Sequence, residues 1–303
     1  MSEPVYHVPV LLQEVISGLN IQAGGTYVDC TLGGGGHARE ILKGLDGQGR
    51  LVVFDQDADA RQNVPDDPRI LFVPHNFRHL QRFLRLHKIQ EVDGILADLG
   101  VSSHQFDDAD RGFSTRFEGE LDMRMDTRQS LTAFEVINTR SEQQLHKLFE
   151  MYGEVSNAKT LARTIVQARQ TTSLKTIANF KQAIQSVVKG NPNRYFAQVF
   201  QALRIEVNDE LGALMEMLQQ APAVLKPGGR IAVITFHSLE DRIVKNFFRK
   251  GHFEEETTAD PFGQHTPAPP LKVITKKPVS PAADELKRNP RSRSARLRVA
   301  ERV

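Results

Sequence analysis

Three aspartates stand where a chain that alternates strands and helices would bind a nucleoside. Asp29 precedes four consecutive glycines at 33–36, and Asp55 ends the next apolar run, at 51–54. Glycine has no Cβ, so a glycine run lets the backbone approach a ligand closely. A carboxylate after the second strand of such a unit typically accepts hydrogen bonds from ribose hydroxyls. Asp98, which ends the apolar run at 92–97, is expected nearest the reacting group.

The glycine run does not by itself say which nucleoside is bound. Gly33-x-Gly35-x-x-Ala38 satisfies the loose dinucleotide pattern, so an NAD-dependent oxidoreductase is one interpretation. A glycine-rich turn without a ligand is another.

The elements that position these residues follow an α/β pattern. Strands are predicted at 26–32, 50–55, 70–74 and 92–98, and helices at 36–45 and 77–86. Such alternation predicts a parallel sheet covered on both faces, with ligands beyond the carboxyl ends of its strands. Phe77, a few residues after the third strand, is placed to lie against a purine.

After Asp98 the alternation stops for about 125 residues, and helical periodicity replaces it, including one long helix at 195–220. Strands resume at 230–236, 271–275 and 295–299, with a helix at 240–249. We therefore predict a doubly wound α/β fold with an inserted α-helical domain. The predicted boundaries are 1–105 and 201–303 for the two parts of the α/β domain and 106–200 for the insertion.

Composition restricts the class of protein. The chain has 303 residues, 40% of them hydrophobic, and a single cysteine, Cys30, which excludes an internal disulfide and a cysteine-cluster zinc site. We find no apolar run of membrane-spanning length and no secretory signal, so a cytoplasmic protein is expected. His75 and His79 have the spacing of a metalloprotease helix but no glutamate between them, so no metal site is predicted.

Basic residues are concentrated near the end of the sequence. Residues 287–302 hold seven lysines and arginines against one acid, Glu301, although the net charge of the chain is only +2. This cluster predicts contact with a phosphate backbone, and a solvated tail is the alternative.

Taken together, the motifs resemble those of the MraW/RsmH family of S-adenosylmethionine-dependent ribosomal RNA (cytosine-N4) methyltransferases. The resemblance runs from end to end and rests on the ordered strings His7-Val8-Pro9-Val10-Leu11-Leu12, Asp29-x-Thr31-x-Gly33-x-Gly35-Gly36-His37, Phe54-Asp55-Gln56-Asp57, Gly94-Ile95-Leu96-Ala97-Asp98-Leu99-Gly100-Val101-Ser102-Ser103, Arg111-Gly112-Phe113-Ser114, Leu121-Asp122-Met123-Arg124-Met125-Asp126, Phe200-Gln201-Ala202-Leu203-Arg204-Ile205, Phe236-His237-Ser238-Leu239-Glu240-Asp241-Arg242 and Asn289-Pro290-Arg291-Ser292-Arg293-Ser294-Ala295.

The resemblance implies a class I methyltransferase fold, S-adenosylmethionine as the cofactor, and a cytidine in the decoding region of 16S ribosomal RNA as the substrate. The partner would be small-subunit ribosomal RNA or the assembled subunit. Together with Gly33 of the glycine run, the implied cofactor-binding residues are Gly35, Gly36, His37, Asp55, Phe77, Asp98 and Gln105.

The residues agree better with an exocyclic amine as methyl acceptor than with a ring carbon. Methylation at C5 of cytosine needs a cysteine nucleophile, whereas Cys30 lies inside a predicted strand. An exocyclic amine needs alignment and hydrogen-bond acceptors instead. Asp98 is the candidate catalytic acceptor, or it serves only the cofactor. His237 either lines the target pocket or is a structural histidine at a strand end.

Arginines are the candidates for RNA contact, through base stacking or phosphate binding. The predicted set is Arg111, Arg204, Arg242, Arg291 and Arg293. A non-catalytic RNA-binding assembly factor would use the same residues and stays open as an alternative.

Overall fold

The computed structural model describes residues 9–253 and 268–303, so His7 and Val8 of the first motif lie outside the described residues. The chain divides into two compact units. The sheet unit consists of Met1–Gly100 and Leu211–Val303, and the helical unit consists of Val101–Glu210. The helical unit thus begins five residues before the predicted insertion and ends ten residues after it.

Helices and strands alternate along the chain up to the fourth strand and again after the fifth. In chain order the elements are α1 Leu12–Leu19, β1 Thr26–Asp29, α2 Gly36–Lys43, β2 Arg50–Phe54, β3 Ile70–Val73, α3 Leu80–Leu86, β4 Val92–Asp98, α4 Ser103–Asp107, α5 Ala133–Thr139, α6 Glu142–Met151, α7 Ala158–Ala168, α8 Ile177–Ile184, α9 Pro192–Asn208, α10 Glu210–Val224, β5 Leu225–Thr235, α11 Ser238–Lys250, β6 Leu271–Val273, α12 Ala283–Arg288 and β7 Arg296–Arg302.

The sheet has seven strands in the order β3-β2-β1-β4-β5-β7-β6. The first five strands run parallel, with β1 between β2 and β4. Strand β7 is antiparallel to both β5 and β6. The predicted α/β Rossmann-like fold is confirmed, and the sheet is mixed because β7 alone runs opposite to the other six strands. Part of the basic cluster at 287–302 is therefore strand β7 and not a solvated tail.

Apolar side chains alternate between the two faces of the sheet. In β2, Leu51 and Val53 pack with α1 and α2 on one face. Val52 and Phe54 pack with α3, α10 and α11 on the other face. A strand buried on both sides reads as a continuous apolar run because successive side chains point in opposite directions. Because these strands are parallel, the carboxyl ends of β1, β2, β4 and β5 lie along one edge of the sheet, which we call the rim. Helices pack against the sheet on both faces.

The helical unit has a core of its own. Helices α4, α5 and α6 begin at capping boxes, in which Ser102, Thr132 and Ser141 each exchange hydrogen bonds with the residue three positions later. Its largest fully buried side chains are Phe149 and Phe180.

Two buried side chains fix the irregular segment between α4 and α5 of the helical unit. The Asn208 side chain accepts from the Met125 amide at 2.7 Å and donates to the Met123 carbonyl at 2.8 Å. The Arg111 guanidinium donates to the carbonyls of Arg124 and Met125, both at 3.1 Å.

The single long helix predicted at 195–220 is wrong. The structure has α9 and α10 there, separated at Asp209, whose φ of 47° is left-handed. Aspartate tolerates this conformation better than most residues do. In a sequence, however, aspartate is a weaker signal for the end of a helix than glycine is. Among the described residues, no helix combines the length and apolar character needed to cross a bilayer.

Candidate functional site

The glycine run forms the turn between β1 and α2 at the rim of the sheet. Gly35 precedes the first residue of α2 and has a φ of 73°, and a Cβ there would lie 2.6 Å from the Asn63 carbonyl oxygen. A Cβ on Gly36 would lie 2.2 Å from Pro9 Cγ. A Cβ on Gly34 would meet nothing within 4 Å. The backbone therefore needs Gly35 and Gly36, whereas Gly34 borders open space that a ligand can enter.

Asp55 connects the end of β2 to the glycine run. Its Oδ2 accepts from the Gly33 amide and its Oδ1 from the Asp57 amide, both at 2.9 Å. The Asn63 side chain donates to the Gly33 carbonyl at 2.8 Å. A carboxylate has about four acceptor positions, so this arrangement is compatible with the predicted ribose contact. Asp55 thus positions the loop as well as facing the rim.

Asp29 and Asp98 end the neighbouring strands β1 and β4, and Thr31 lies between them. The Thr31 hydroxyl accepts from the Asp98 amide at 2.8 Å and lies 3.5 Å from Asp29 Oδ1. Asp29 Oδ1 also accepts from the Thr31 amide at 3.0 Å. One carboxyl oxygen of each aspartate, Asp29 Oδ2 and Asp98 Oδ1, is buried without a hydrogen-bond partner among the described residues.

Burial and mutual repulsion change the acidity of both carboxyls. Burial, followed by the nearby negative charge of Asp55, raises the pKa of Asp29 to about 7. Burial, then the charges of Asp29 and Glu240, raise the pKa of Asp98 well above its usual value. Buried, unpartnered carboxyl oxygens are costly unless a ligand supplies donors or positive charge. The rim therefore favours a cationic ligand.

His37 is neutral at pH 7 and contacts Asp98. Its Nε2 lies 3.0 Å from the Val10 carbonyl oxygen, which can only accept, so the hydrogen is assigned to Nε2. Burial lowers the pKa of His37 to about 4. Its Nδ1 stands 3.7 Å from Asp98 Oδ2, and because the ring is uncharged this contact is not an ion pair at neutral pH.

His237 and Glu240 form the turn between β5 and α11. The Glu240 carboxylate accepts from the amides of Phe236 and His237 at 2.8 and 3.3 Å, and the Glu240 amide donates to His237 Nδ1 at 3.4 Å. His237 Nε2 lies 3.2 Å from Glu240 Oε1, yet it is buried without an aligned hydrogen bond to any described residue. His237 thus caps a helix, and its role in the target pocket stays a prediction.

Two further predicted cofactor residues have different surroundings. Phe77 is half-buried after β3 and packs against the core that contains α3 and α10. Gln105 belongs to the helical unit, where its side chain accepts from the Ser102 amide at 3.0 Å and its amide donates to the Ser102 hydroxyl at 3.2 Å. The cofactor role of both residues stays a prediction.

The predicted RNA-binding arginines fall into two groups. Arg111 is buried on backbone carbonyls, and Arg204 makes a two-pronged ion pair with Glu210 at 2.7 and 3.0 Å. Arg242, Arg291 and Arg293 are exposed on the sheet unit. The last three have the exposure that phosphate contact requires, whereas the first two hold the helical unit together.

Sequence reasoning missed the roles of Thr31 and Glu240. Thr31 lies within a quoted motif, but its bond to Asp98 depends on the pairing of β1 with β4. Glu240 follows His237 by three residues, which is the capping-box spacing, although histidine is an unusual first member. That spacing was the available signal.

Comparison with known proteins identifies the family. The model of the MraW methylase family matches residues 4–303. Ribosomal RNA small subunit methyltransferase H of Bacteroides fragilis is 53% identical over 301 residues, covering 99% of this chain and 98% of that protein. The protein of the same name from Parabacteroides distasonis is 53% identical over 300 residues, covering 98% of each. The one from Flavobacterium johnsoniae is 50% identical over 299 residues, again covering 98% of each. Because a glycine loop and three rim carboxyls stand where a nucleoside cofactor would bind, and the family match spans nearly every residue, the chain belongs to the MraW methylase family.

Proposed function

We propose that this protein transfers a methyl group from S-adenosylmethionine to the exocyclic N4 of a cytidine in the decoding region of 16S ribosomal RNA. Family membership supports methyl transfer, and favours it over the hydride transfer that the glycine pattern had left open. The names of the relatives support small-subunit ribosomal RNA as the substrate class. A ribosomal RNA substrate also supports the predicted cytoplasmic location.

The observation that carries the proposal is the pair of buried, unpartnered oxygens, Asp29 Oδ2 and Asp98 Oδ1, beside an open glycine loop. S-adenosylmethionine carries a sulfonium and an ammonium group, and it supplies the methyl group when bound. Two carboxyls with raised pKa values fit such a cation because its charge would stabilise their ionised forms. A nicotinamide dinucleotide brings a negatively charged pyrophosphate, which would raise the pKa of both carboxyls further instead of stabilising their ionised forms.

The remaining contacts follow from position. Asp55 would accept hydrogen bonds from the ribose, and Phe77 would contact the adenine. Gly34 would lie against the cofactor because no described residue comes within 4 Å of a Cβ placed there. His37, neutral and fixed on the Val10 carbonyl, would border the Asp98 carboxyl without adding a positive charge that opposes the cofactor.

At the target base, Asp98 would accept a hydrogen bond from the N4 amino group. The lone pair of that nitrogen is delocalised into the ring, so rate enhancement depends on holding nitrogen, methyl carbon and sulfur in line at about 3–3.5 Å. A cysteine nucleophile is not needed for this reaction. Burial raises the pKa of the Cys30 thiol well above its usual value, which keeps it protonated and supports N4 over C5 as the acceptor.

The test is methylation of small-subunit RNA, or of subunits from cells lacking the protein, followed by nucleoside mass spectrometry. We expect the methyl group on N4 of one cytidine. Asp98→Ala should abolish transfer while circular dichroism shows a folded chain. Cys30→Ala is the matched control and should retain activity.

Product with the methyl on C5 or on ribose, or undiminished turnover by Asp98→Ala, would contradict the proposal. RNA binding without any methyl transfer would instead support the assembly-factor alternative.

A further inference from the structure

A row of basic side chains runs along α11 of the sheet unit to a pocket beside β6. We call Arg242, Lys245, Arg249, Lys276 and Lys277 the α11 basic surface. The pocket has a volume of about 180 Å³. It is lined by Lys245, Phe248, Arg249, Val273, Thr275, Lys276, Lys277, Pro278 and Arg298.

Most of the positive charge of this pocket is not neutralised, because Arg298 is its one ion-paired cation among the described residues. Five of its nine lining residues are lysine or arginine, and none is acidic. The carboxylate of Asp241, on the same helix, accepts from Arg298 at 2.7 and 3.0 Å and from Arg296 at 3.2 Å. Asp241 is therefore occupied by the two arginines of β7. Within 9–253 and 268–303, no member of the α11 basic surface makes an ion pair.

The helix sets the direction of the row. Arg242, Lys245 and Arg249 are three and four residues apart, which places them on one face of α11. A rise of 1.5 Å per residue separates them by about 4.5 Å and about 6 Å along the helix. Helix α11 begins at Ser238, directly after His237 at the rim. The row thus starts one turn from the candidate site and leads away from it for about 10 Å.

We propose that the α11 basic surface binds the phosphate backbone of the RNA substrate on one side of the target nucleotide. The inference rests on the proposed function, because it assumes that an RNA strand delivers the base to the rim. A linear series of cations that make no ion pair within the described part of the chain suits a polyanionic strand, since each lysine or arginine can neutralise one phosphate.

An RNA strand fits this surface better than an anionic membrane does. Membrane-surface binding needs apolar side chains that insert beside the cations. Around the described part of the pocket, the one exposed large apolar side chain is Ile274, at 37% exposure. Phe248 is buried and Val273 is partly buried, and both line the pocket.

The experiment measures binding of a small-subunit RNA transcript to the full chain at several salt concentrations. The test variants are the charge reversals Lys276→Glu with Lys277→Glu, and Lys245→Glu with Arg249→Glu. The matched control is the charge reversal Arg50→Glu with Arg85→Glu, at two exposed arginines of the same unit that lie outside the row.

Each test variant should weaken RNA affinity about tenfold or more at 0.1 M salt. The slope of log affinity against log salt should fall by roughly 0.7–0.9 for each phosphate that the variant no longer neutralises. Cofactor affinity and melting temperature should not change, and the control should bind RNA normally. Unchanged RNA affinity in both test variants would overturn the proposal.

Binding to vesicles that contain phosphatidylserine tests the alternative that this surface contacts an anionic membrane. Binding to vesicles that the reversals abolish, with RNA affinity intact, would assign the surface to a membrane and overturn the proposal. If the parent chain methylates RNA and the reversals leave its KM for RNA unchanged, only this inference fails. If the reversals weaken RNA binding but the parent chain transfers no methyl group, only the proposed function fails.

Discussion

At the residue scale, the candidate site depends on one threonine that joins two aspartates. The Thr31 hydroxyl accepts from the Asp98 amide and reaches Asp29 Oδ1, so it fixes the ends of β1 and β4 relative to each other. Each of the two carboxyls keeps one buried oxygen without a partner among the described residues. Burial of these oxygens therefore lowers the free energy of unfolding, and a bound cation would reduce that cost.

Replacement of Thr31 tests this arrangement. Thr31→Val keeps the volume but leaves the buried Asp98 amide without an acceptor, so the free energy of unfolding should fall by about 1–3 kcal/mol. Thr31→Ser should restore most of that stability because it keeps the hydroxyl. Urea unfolding checks the stability, and titration with S-adenosylmethionine checks the affinity, which should weaken in the valine variant only. Equal stability of the valine and serine variants would show that the hydroxyl has no such role.

The pH dependence of stability tests the buried Asp29 carboxyl. Its folded pKa of about 7 lies above the unfolded value of 3.8, so the unfolded chain loses this proton at lower pH than the folded chain. Stability is thus fully present below pH 4 and declines as pH rises to 7. Between pH 5 and pH 7 the decline amounts to about 2 kcal/mol, because the slope of about 1.36 kcal/mol per pH unit flattens as the folded carboxyl ionises near pH 7.

Asp29→Asn should remove this decline, and denaturant unfolding of the cofactor-free chain at pH 5, 6 and 7 would measure it. Asp66→Asn, an exposed carboxyl of the same unit, controls for the removal of one negative charge. Parallel pH profiles of the parent chain and Asp29→Asn would contradict the assignment of Asp29 as a strained acid.

Some of the site could be predicted from sequence because it depends on local order. Asp29, Asp55 and Asp98 were expected at one edge since parallel strands bring their carboxyl ends together, and the structure places them there. The contacts of Thr31 with Asp29 and Asp98, and the contact of Asn63 with the glycine run, depend on which strands pair with each other. The capping role of His237 was an open alternative, whereas Glu240 as its partner was not foreseen.

At the element scale, the turn between β1 and α2 contains glycines that the backbone needs and one, Gly34, for which we propose contact with the cofactor. Gly35→Ala should lower the free energy of unfolding by roughly 1–2 kcal/mol because of the left-handed φ alone. The clash of its Cβ with the Asn63 carbonyl oxygen should add to this loss. Gly34→Ala should change the free energy of unfolding by no more than about 0.5 kcal/mol.

Gly34→Ala should nevertheless weaken S-adenosylmethionine binding, because its methyl group enters the space assigned to the cofactor. Thermal melts and isothermal titration of the two variants check this. Normal cofactor affinity in Gly34→Ala would place the cofactor elsewhere on the rim.

Element boundaries show where local pattern suffices. Strand β4 was predicted at 92–98, as observed, because the apolar residues Ile95, Leu96 and Ala97 lead directly to Asp98. The break between α9 and α10 was missed, since apolar residues continue in helical spacing through Asp209 and only its φ interrupts them. The direction of β7 and its place between β5 and β6 have no local sequence signal, because strand pairing is decided by contacts far apart in the chain.

At the scale of the whole molecule, two units with separate cores should unfold with separate responses to mutation. Phe180→Ala empties a fully buried site in the helical unit and should cost that unit about 3–5 kcal/mol. Hydrogen exchange should then accelerate in α7 and α8 while amides of β1 and β4 keep their protection. Phe54→Ala, in the sheet unit, is the reciprocal variant. Uniform acceleration across both units in either variant would show that they unfold as one.

The position of β7 has a consequence for how the chain matures during synthesis. Strand β7 follows every other strand in sequence, yet it lies between β5 and β6. While the ribosome extends the nascent polypeptide, β5 therefore exposes an unpaired edge, and β6 has no neighbour to join. Such edges recruit foreign strands, so newly made chains are most vulnerable to aggregation in this interval. Translation arrested shortly before Arg296 should thus yield an incomplete chain that holdase chaperones bind, whereas they should not bind the finished polypeptide.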